Sequence, residues 1–197
     1  MALTNKEMVA NAVAYLQKTT CYMKGMWCER LTRSEYDFKC QQYPDNKKYG
    51  NEKYVNSDVY AADCICWIKQ LLNGGSVYRR LSYSELAANP LGDCTNKQFY
   101  DKLYDLRSPA GAPAGYGLAT EGHAALCIGG DQWLDFNYSG NQNGIAIHTG
   151  FSGTNFRCGK IPGIDYEEIM PAPTPAVNEK EVIDRFLAFL RDSYLDR

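Results

Sequence analysis

The chain has 197 residues, of which 45% are hydrophobic and 22% charged, a balance that suits one globular domain with a short appendage and argues against a disordered chain. Lys and Arg total 21 against 23 Asp and Glu, a formal charge of -2 with no basic run, which argues against a nucleic-acid binder that works by neutralising phosphates. No apolar run approaches the ~18 residues needed to span a bilayer.

From the N-terminus, residues 1–20 interleave Asn, Lys, Glu and Gln with apolar residues, so the continuous apolar stretch of a signal peptide is missing. Thr4-Asn5-Lys6-Glu7 is a capping box. Met8, Ala12, Val13 and Leu16 follow at helical spacing and predict an amphipathic helix over 4–17. Between Thr19 and Asp58 the periodicity breaks, and Tyr43-Pro44-Asp45-Asn46 is turn-rich, predicting a long, partly ordered loop that lines a site. Asp63 is an N-cap for a short helix with Ile65, Ile68, Leu71 and Leu72 on its apolar face, stopped by Asn73-Gly74-Gly75. Two further short helices follow. Ser82-Tyr83-Ser84-Glu85 opens the first, which ends at Asn89-Pro90. Thr95-Asn96-Lys97-Gln98 opens the second, with Phe99, Leu103 and Leu106 on one face.

After Ser108, Pro109 to Gly115 is a turn-rich connector. Strands are predicted over 123–128, 132–138 and 144–149, the first two joined by a tight Gly129-Gly130-Asp131 hairpin, and another around 156–161. Helices followed by an antiparallel sheet predict the α+β class. The sequence divides into a catalytic-sized unit over 1–170, a stiff Pro-rich linker over 171–177 and an amphipathic helix over 178–197. That last helix has an apolar side that must be buried against the domain or against a second copy.

There are 8 cysteines and only 2 histidines, His123 and His148. Any His-dependent chemistry must use one of the two. Cys64 falls in the first turn of a predicted helix, where the dipole favours a thiolate. His123 opens one predicted strand and Asp135 lies on the next, so antiparallel neighbours can bring them together. Cys64, His123 and Asp135 thus form a candidate nucleophile, base and orienting residue. Each also fits a plain structural role: a small buried hydrophobe, a strand-end histidine and a turn carboxylate.

Cys66 is the rival nucleophile. Two residues along a helix is about 200° around it, so only one of the pair can face His123. Cys21, Cys28 and Cys40 match no zinc spacing, and no metal or other cofactor is expected. His148 is expected to have a surface or edge role. The aromatics between Tyr36 and Tyr60 fit either glycan stacking or anchoring of a loop.

The segment from Tyr60 through Ala61-Ala62-Asp63-Cys64-Ile65-Cys66 to Lys69 resembles the Asp-Cys-Ser-Gly motif that opens the catalytic helix of the NlpC superfamily. Members of that superfamily are papain-like cysteine peptidases and amidases of the bacterial cell wall. Gly122-His123-Ala124-Ala125-Leu126-Cys127 resembles the family's Gly-His strand, and Asp135 sits where the family carries its third polar residue. Tyr22-Met23-Lys24-Gly25 is similar to the Tyr-x-x-Gly segment whose Tyr lines the substrate pocket, and 159–166 resembles the close of the domain in phage-type members. The likeness covers about residues 1–170. It departs from the family at Ile65-Cys66, where members carry Ser-Gly.

The resemblance implies a papain-like domain with Cys64 as nucleophile, His123 as general base and Asp135 as its orienting residue. Tyr22 and Asp63 take substrate-side positions. The implied activity is hydrolysis of an amide bond in the peptidoglycan stem peptide or at its sugar junction. The absent leader and the small size suit a phage endolysin, made in the bacterial cytoplasm and acting at the wall after release. Two other readings stay open: a non-catalytic cell-wall or protein-binding module on the same fold, and a transglutaminase-like or deamidating thiol enzyme.

Overall fold

The computed structural model describes residues 3–75, 79–139 and 142–167. The linker expected over 171–177 and the helix expected over 178–197, with any self-association through it, lie outside the described residues.

Strand β1 (Leu3–Thr4) leads into helix α1 (Asn5–Ala14), and a 3-10 turn continues to Gln17. The capping box at Thr4 is formed in both directions: Glu7 N–H donates to Thr4 Oγ1 at 3.1 Å and Thr4 N–H donates to the Glu7 carboxylate at 2.8 Å.

The loop expected over 19–58 is instead built of regular pieces: β2 (Thr20–Tyr22), β3 (Trp27–Arg30), α2 (Arg33–Gln42) and two 3-10 segments, Pro44–Tyr49 and Asn51–Tyr54. α2 carries its own capping box, Thr32 with Glu35. Yet it buries only Tyr36, Lys39 and Cys40, so its apolar periodicity is too thin to read. β2 and β3 are short and pair with β4 (Tyr60–Ala62), parallel and antiparallel respectively. Both partnerships are long-range and leave no local pattern.

Helix α3 (Cys64–Leu72) then begins at the expected Asp63 cap. α4 (Tyr83–Ala88) and α5 (Asn96–Lys102) also start at their capping boxes. α5 is shorter than the apolar spacing suggests. Leu103 turns extended and the chain enters β5 (Tyr104–Arg107), leaving Leu106 51% exposed.

The second half supplies β6 (Gly117–Ala119), β7 (Ala124–Gly129), β8 (Gln132–Ser139), β9 (Gln142–Thr149), β10 (Arg157–Lys160) and β11 (Ile164–Asp165). A six-stranded sheet runs in the order β5-β10-β6-β7-β8-β9, with every neighbouring pair antiparallel. The β7–β8 hairpin turns through Gly130 and Asp131, both left-handed at φ 60° and 58°, as a two-residue I′-type turn requires. β6 had no local signal, since it is three residues long and its partners are β7 and β10. The chain is therefore α+β, with helices on an antiparallel sheet as expected. Among the described residues no helix is long and apolar enough to cross a membrane.

Side chains alternate across the sheet. Ala124, Leu126, Leu134 and Phe136 join Met8, Ala12 and Val13 of α1 and Trp67, Ile68 and Leu71 of α3 in the main core. Ala125, Cys127 and Trp133 face the other way, with Tyr116, Leu118 and Cys158. At the centre Tyr15, Trp67 and Phe136 meet: Trp67 stands edge-on to Tyr15 at 6.5 Å and tilts against Phe136 at 5.6 Å. This cluster fixes the start of α3 against β8. Phe136→Ala is expected to cost about 3–5 kcal/mol, read as a lower denaturant midpoint at unchanged slope.

Candidate active site

The sheet register brings the titratable side chains together. Asp135 on β8 pairs with Ala125 on β7 and with Ala146 on β9. His123 lies two residues before Ala125 and His148 two residues after Ala146, so both share the face of Asp135 and approach it diagonally from opposite strands. Asp135 is 0% exposed, and its carboxylate is fully engaged. Oδ2 meets His123 Nε2 at 2.6 Å, while Oδ1 meets His148 Nε2 at 2.9 Å and accepts from Gln142 Nε2 at 2.7 Å.

The electrostatics follow from these contacts. Burial opposes a charged Asp135, but hydrogen bonds from His123 and His148 outweigh it and hold the carboxyl down at about 2. Burial likewise opposes a charged His123. Asp135, and then Cys64 as hydrogen-bond partner and negative charge, prevail and raise the imidazole to about 10. With Nε2 committed to Asp135, Nδ1 is the ring nitrogen left to serve Cys64.

Cys64 is the first residue of α3, and Asp63 organises that helix start. Asp63 Oδ1 accepts from Cys66 N–H at 2.6 Å and Oδ2 accepts from Gly25 N–H at 2.7 Å. The expected substrate-side residue Asp63 thus has both oxygens engaged by the chain's own amides and ties the Tyr22–Gly25 segment to the helix. The Cys64 thiol, in a residue only 1% exposed, donates to Asn96 Oδ1 at 3.5 Å. Asn96 Nδ2 donates in turn to the Gly122 carbonyl at 2.9 Å. Asn96 therefore clamps the thiol to the segment that presents His123.

Cys66 points elsewhere, into a cluster with Trp27, Leu81 and Leu86, and burial pushes its thiol well above the ordinary value. Tyr22 lies on the Cys64 side. Burial, followed by the negative charges of Cys64 and Asp63, pushes its phenol up. Its ring stands edge-on to Tyr49 at 5.4 Å, and Tyr49 leans on Tyr138 at 4.5 Å. The result is a row of tyrosines running from the thiol to the surface.

The structure thus brings together Cys64, His123, Asp135, Tyr22 and Asp63. Sequence reasoning missed three further participants. His148 is not idle on an edge: β9 is an edge strand, but the imidazole bonds Asp135 and stacks on Trp133 at 4.1 Å. Its partnership follows from the β8–β9 register and from nothing local. Gln142 belongs to the same register. Asn96 had a visible signal, since it sits in a capping box, but not one that pointed to the thiol. All 8 cysteines are free and buried, and among the described residues no group of three or more His, Cys, Asp and Glu is placed to hold a metal ion.

His148→Phe keeps a ring to stack on Trp133 and removes one donor to Asp135. It is expected to lower turnover about tenfold, the scale of one hydrogen bond to a charged group. Steady-state rates on whatever substrate the chain turns over check this, with the loss expected to be smaller than for any change at Asp135.

Chemically, a thiol at a helix start, beside an imidazole whose far nitrogen is bound by a buried carboxylate, is an arrangement for nucleophilic attack with proton transfer. No protein-family model, curated protein or solved structure matches the chain.

Proposed function

We propose that this chain is a papain-like cysteine peptidase or amidase of the NlpC type that hydrolyses an amide bond in bacterial peptidoglycan. The observation that carries the reading is the Cys64–His123–Asp135 constellation. A helix-borne thiol lies on one side of the imidazole, and a carboxylate held at 2.6 Å lies on the other.

The proton moves from sulfur to His123 Nδ1, leaving thiolate and imidazolium. The thiolate attacks the amide carbonyl. The oxyanion that forms lies near the Cys64 N–H, one of the first-turn amides that a helix leaves without an internal acceptor. His123 then passes its proton to the departing amine as the C–N bond breaks, giving a thioester. Water, deprotonated by His123, cleaves the thioester, releases the acid and restores the thiol. Asp135 holds the ring in one orientation throughout and stabilises its charge.

The stem peptide or its sugar junction is the proposed target on the strength of the Asp-Cys and Gly-His resemblance and the tyrosine row beside Cys64. A phage-type lytic enzyme acting at the wall fits the same resemblance. Incubation with purified peptidoglycan, followed by mass spectrometry of soluble fragments, tests the proposal. New amine and carboxyl termini, absent with Cys64→Ala, are expected. Conversion of side-chain amides to acids without chain cleavage would make the protein a deamidase. Binding to the wall with no covalent change would make it a binding module.

A further inference from the structure

A cavity of about 370 Å³ opens between α5 and the β5 and β10 strands, with Tyr100, Leu106, Arg107, Phe156 and Arg157 in its wall. It adjoins the candidate active site from two directions. Along α5, Tyr100 follows Asn96 by four residues, so the two share a face about 6 Å apart along the axis, and Asn96 is the residue that accepts from the Cys64 thiol. Across the sheet, the Phe156 ring lies 6.4 Å from the His123 ring and 5.0 Å from Trp133.

The wall carries positive charge that the protein answers only in part. The Arg157 guanidinium lies over the Tyr100 ring at 4.8 Å. Its Nε–H is buried and has no hydrogen-bond partner, and among the described residues no carboxylate pairs with it. Arg107 lies over the Tyr116 ring at 4.6 Å. Its contact with Asp105 is long, 3.5 Å, and Lys160 holds the same carboxylate more closely at 2.9 Å. Asp105 is thus shared between two cations, and Arg157 has none of it. A buried donor without an acceptor is destabilising. A guanidinium fork is shaped for two parallel bonds to a carboxylate. Leu106 and Phe156 supply the apolar flank that an aliphatic chain bearing such a group needs.

We propose that this cavity is a subsite for a free carboxylate on the chain that Cys64 attacks, with Arg157 as the principal ligand and Arg107 as the second. The inference rests on the hydrolase reading for its placement on a substrate, and it names the group that substrate must carry. The carboxylate pairs with the Arg157 guanidinium where it lines the cavity, while Arg107 closes from the exposed side.

The test is calorimetric titration of the full-length Cys64→Ala protein with N-acetyl-alanyl-glutamate and with its diamide. The diacid is expected to bind at least about tenfold more tightly than the diamide, the scale of one charge-assisted hydrogen bond. Arg157→Gln, added to that background, should abolish the preference. Arg157→Lys, which keeps the charge and loses the fork, should weaken it. Arg107→Gln changes an exposed residue with little bearing on folding and should also reduce the preference, so the question survives a misfolded Arg157 variant.

Equal affinity for diacid and diamide overturns the proposal, as does failure of both to bind at millimolar concentration. A preference that persists in both Arg157→Gln and Arg107→Gln overturns it too. The titration requires no turnover. An intact acid preference in a chain that releases no peptidoglycan fragments would therefore leave the carboxylate site standing and remove the hydrolase reading.

Discussion

Replacing Cys64 with Ala is expected to lower turnover of purified cell wall by roughly 10³-fold or more, the scale seen when one member of a catalytic triad is removed. The paired control is Cys66→Ala. Its sulfur packs with Trp27, Leu81 and Leu86, away from His123, so the expected cost is on the order of 1 kcal/mol of stability with turnover retained. Rates on the same wall preparation, with folding checked by circular dichroism, separate the two. A folded Cys64→Ala protein of near-normal rate would remove the thiol from the mechanism. A Cys66→Ala protein as inactive as Cys64→Ala would mean that the helix start, and not one sulfur, controls the activity.

Asp135→Leu is expected to be nearly as damaging, again roughly 10³-fold in turnover, because one buried carboxylate accepts from His123, His148 and Gln142 together. Asp135→Asn should retain a measurable part. An amide has one acceptor oxygen, so it can satisfy His123 only by turning its NH₂ group toward the donors of His148 and Gln142.

The same substitution has a pH signature. His123 is raised from 6.5 to about 10, so its share of stability is fully present below pH 6.5 and is lost as pH rises through about 10. Asp135 is lowered from 3.8 to about 2, so its share is present above pH 3.8 and is lost as pH falls through about 2. The His123–Asp135 pair enters both shifts and is counted once, while Cys64 adds to the first and His148 and Gln142 to the second. The stability gap between the parent and Asp135→Asn should therefore be widest between pH 3.8 and 6.5 and should narrow on either side. Chemical denaturation at a series of pH values reads this directly, and a gap independent of pH would mean that the two groups do not form an ion pair.

Much of this architecture is written locally. The capping boxes at Thr4, Ser82 and Thr95 and the Asp63 cap mark helix starts because each satisfies first-turn amides with side chains a few residues away. Gly129-Gly130-Asp131 marks a hairpin because its backbone needs left-handed residues. The α+β class and the pairing of His123 with Asp135 follow from such signals, since a tight hairpin fixes the register of its two strands. The end of α5 was misplaced for the opposite reason. Leu106 has helical spacing, but the backbone of 104–107 gains a sheet partner in β10 that lies some fifty residues on.

What only the tertiary structure decided is everything that depends on distant partners. β2 and β3 exist because β4 pairs with both. His148 reaches Asp135 because β9 pairs with β8 two residues out of step with the imidazole. Asn96 meets Cys64 because α5 packs against the segment ahead of β7, where its amide also holds the Gly122 carbonyl. The sequence by itself determined which residues carry a helix-start thiol, an imidazole and a carboxylate and where the chain turns and caps, because those properties reside in a few neighbouring residues. The fold determined the shared carboxylate, the clamp on the thiol and the cavity with its partly answered positive charge, because each is a contact between segments whose spacing along the chain says nothing of their distance in space.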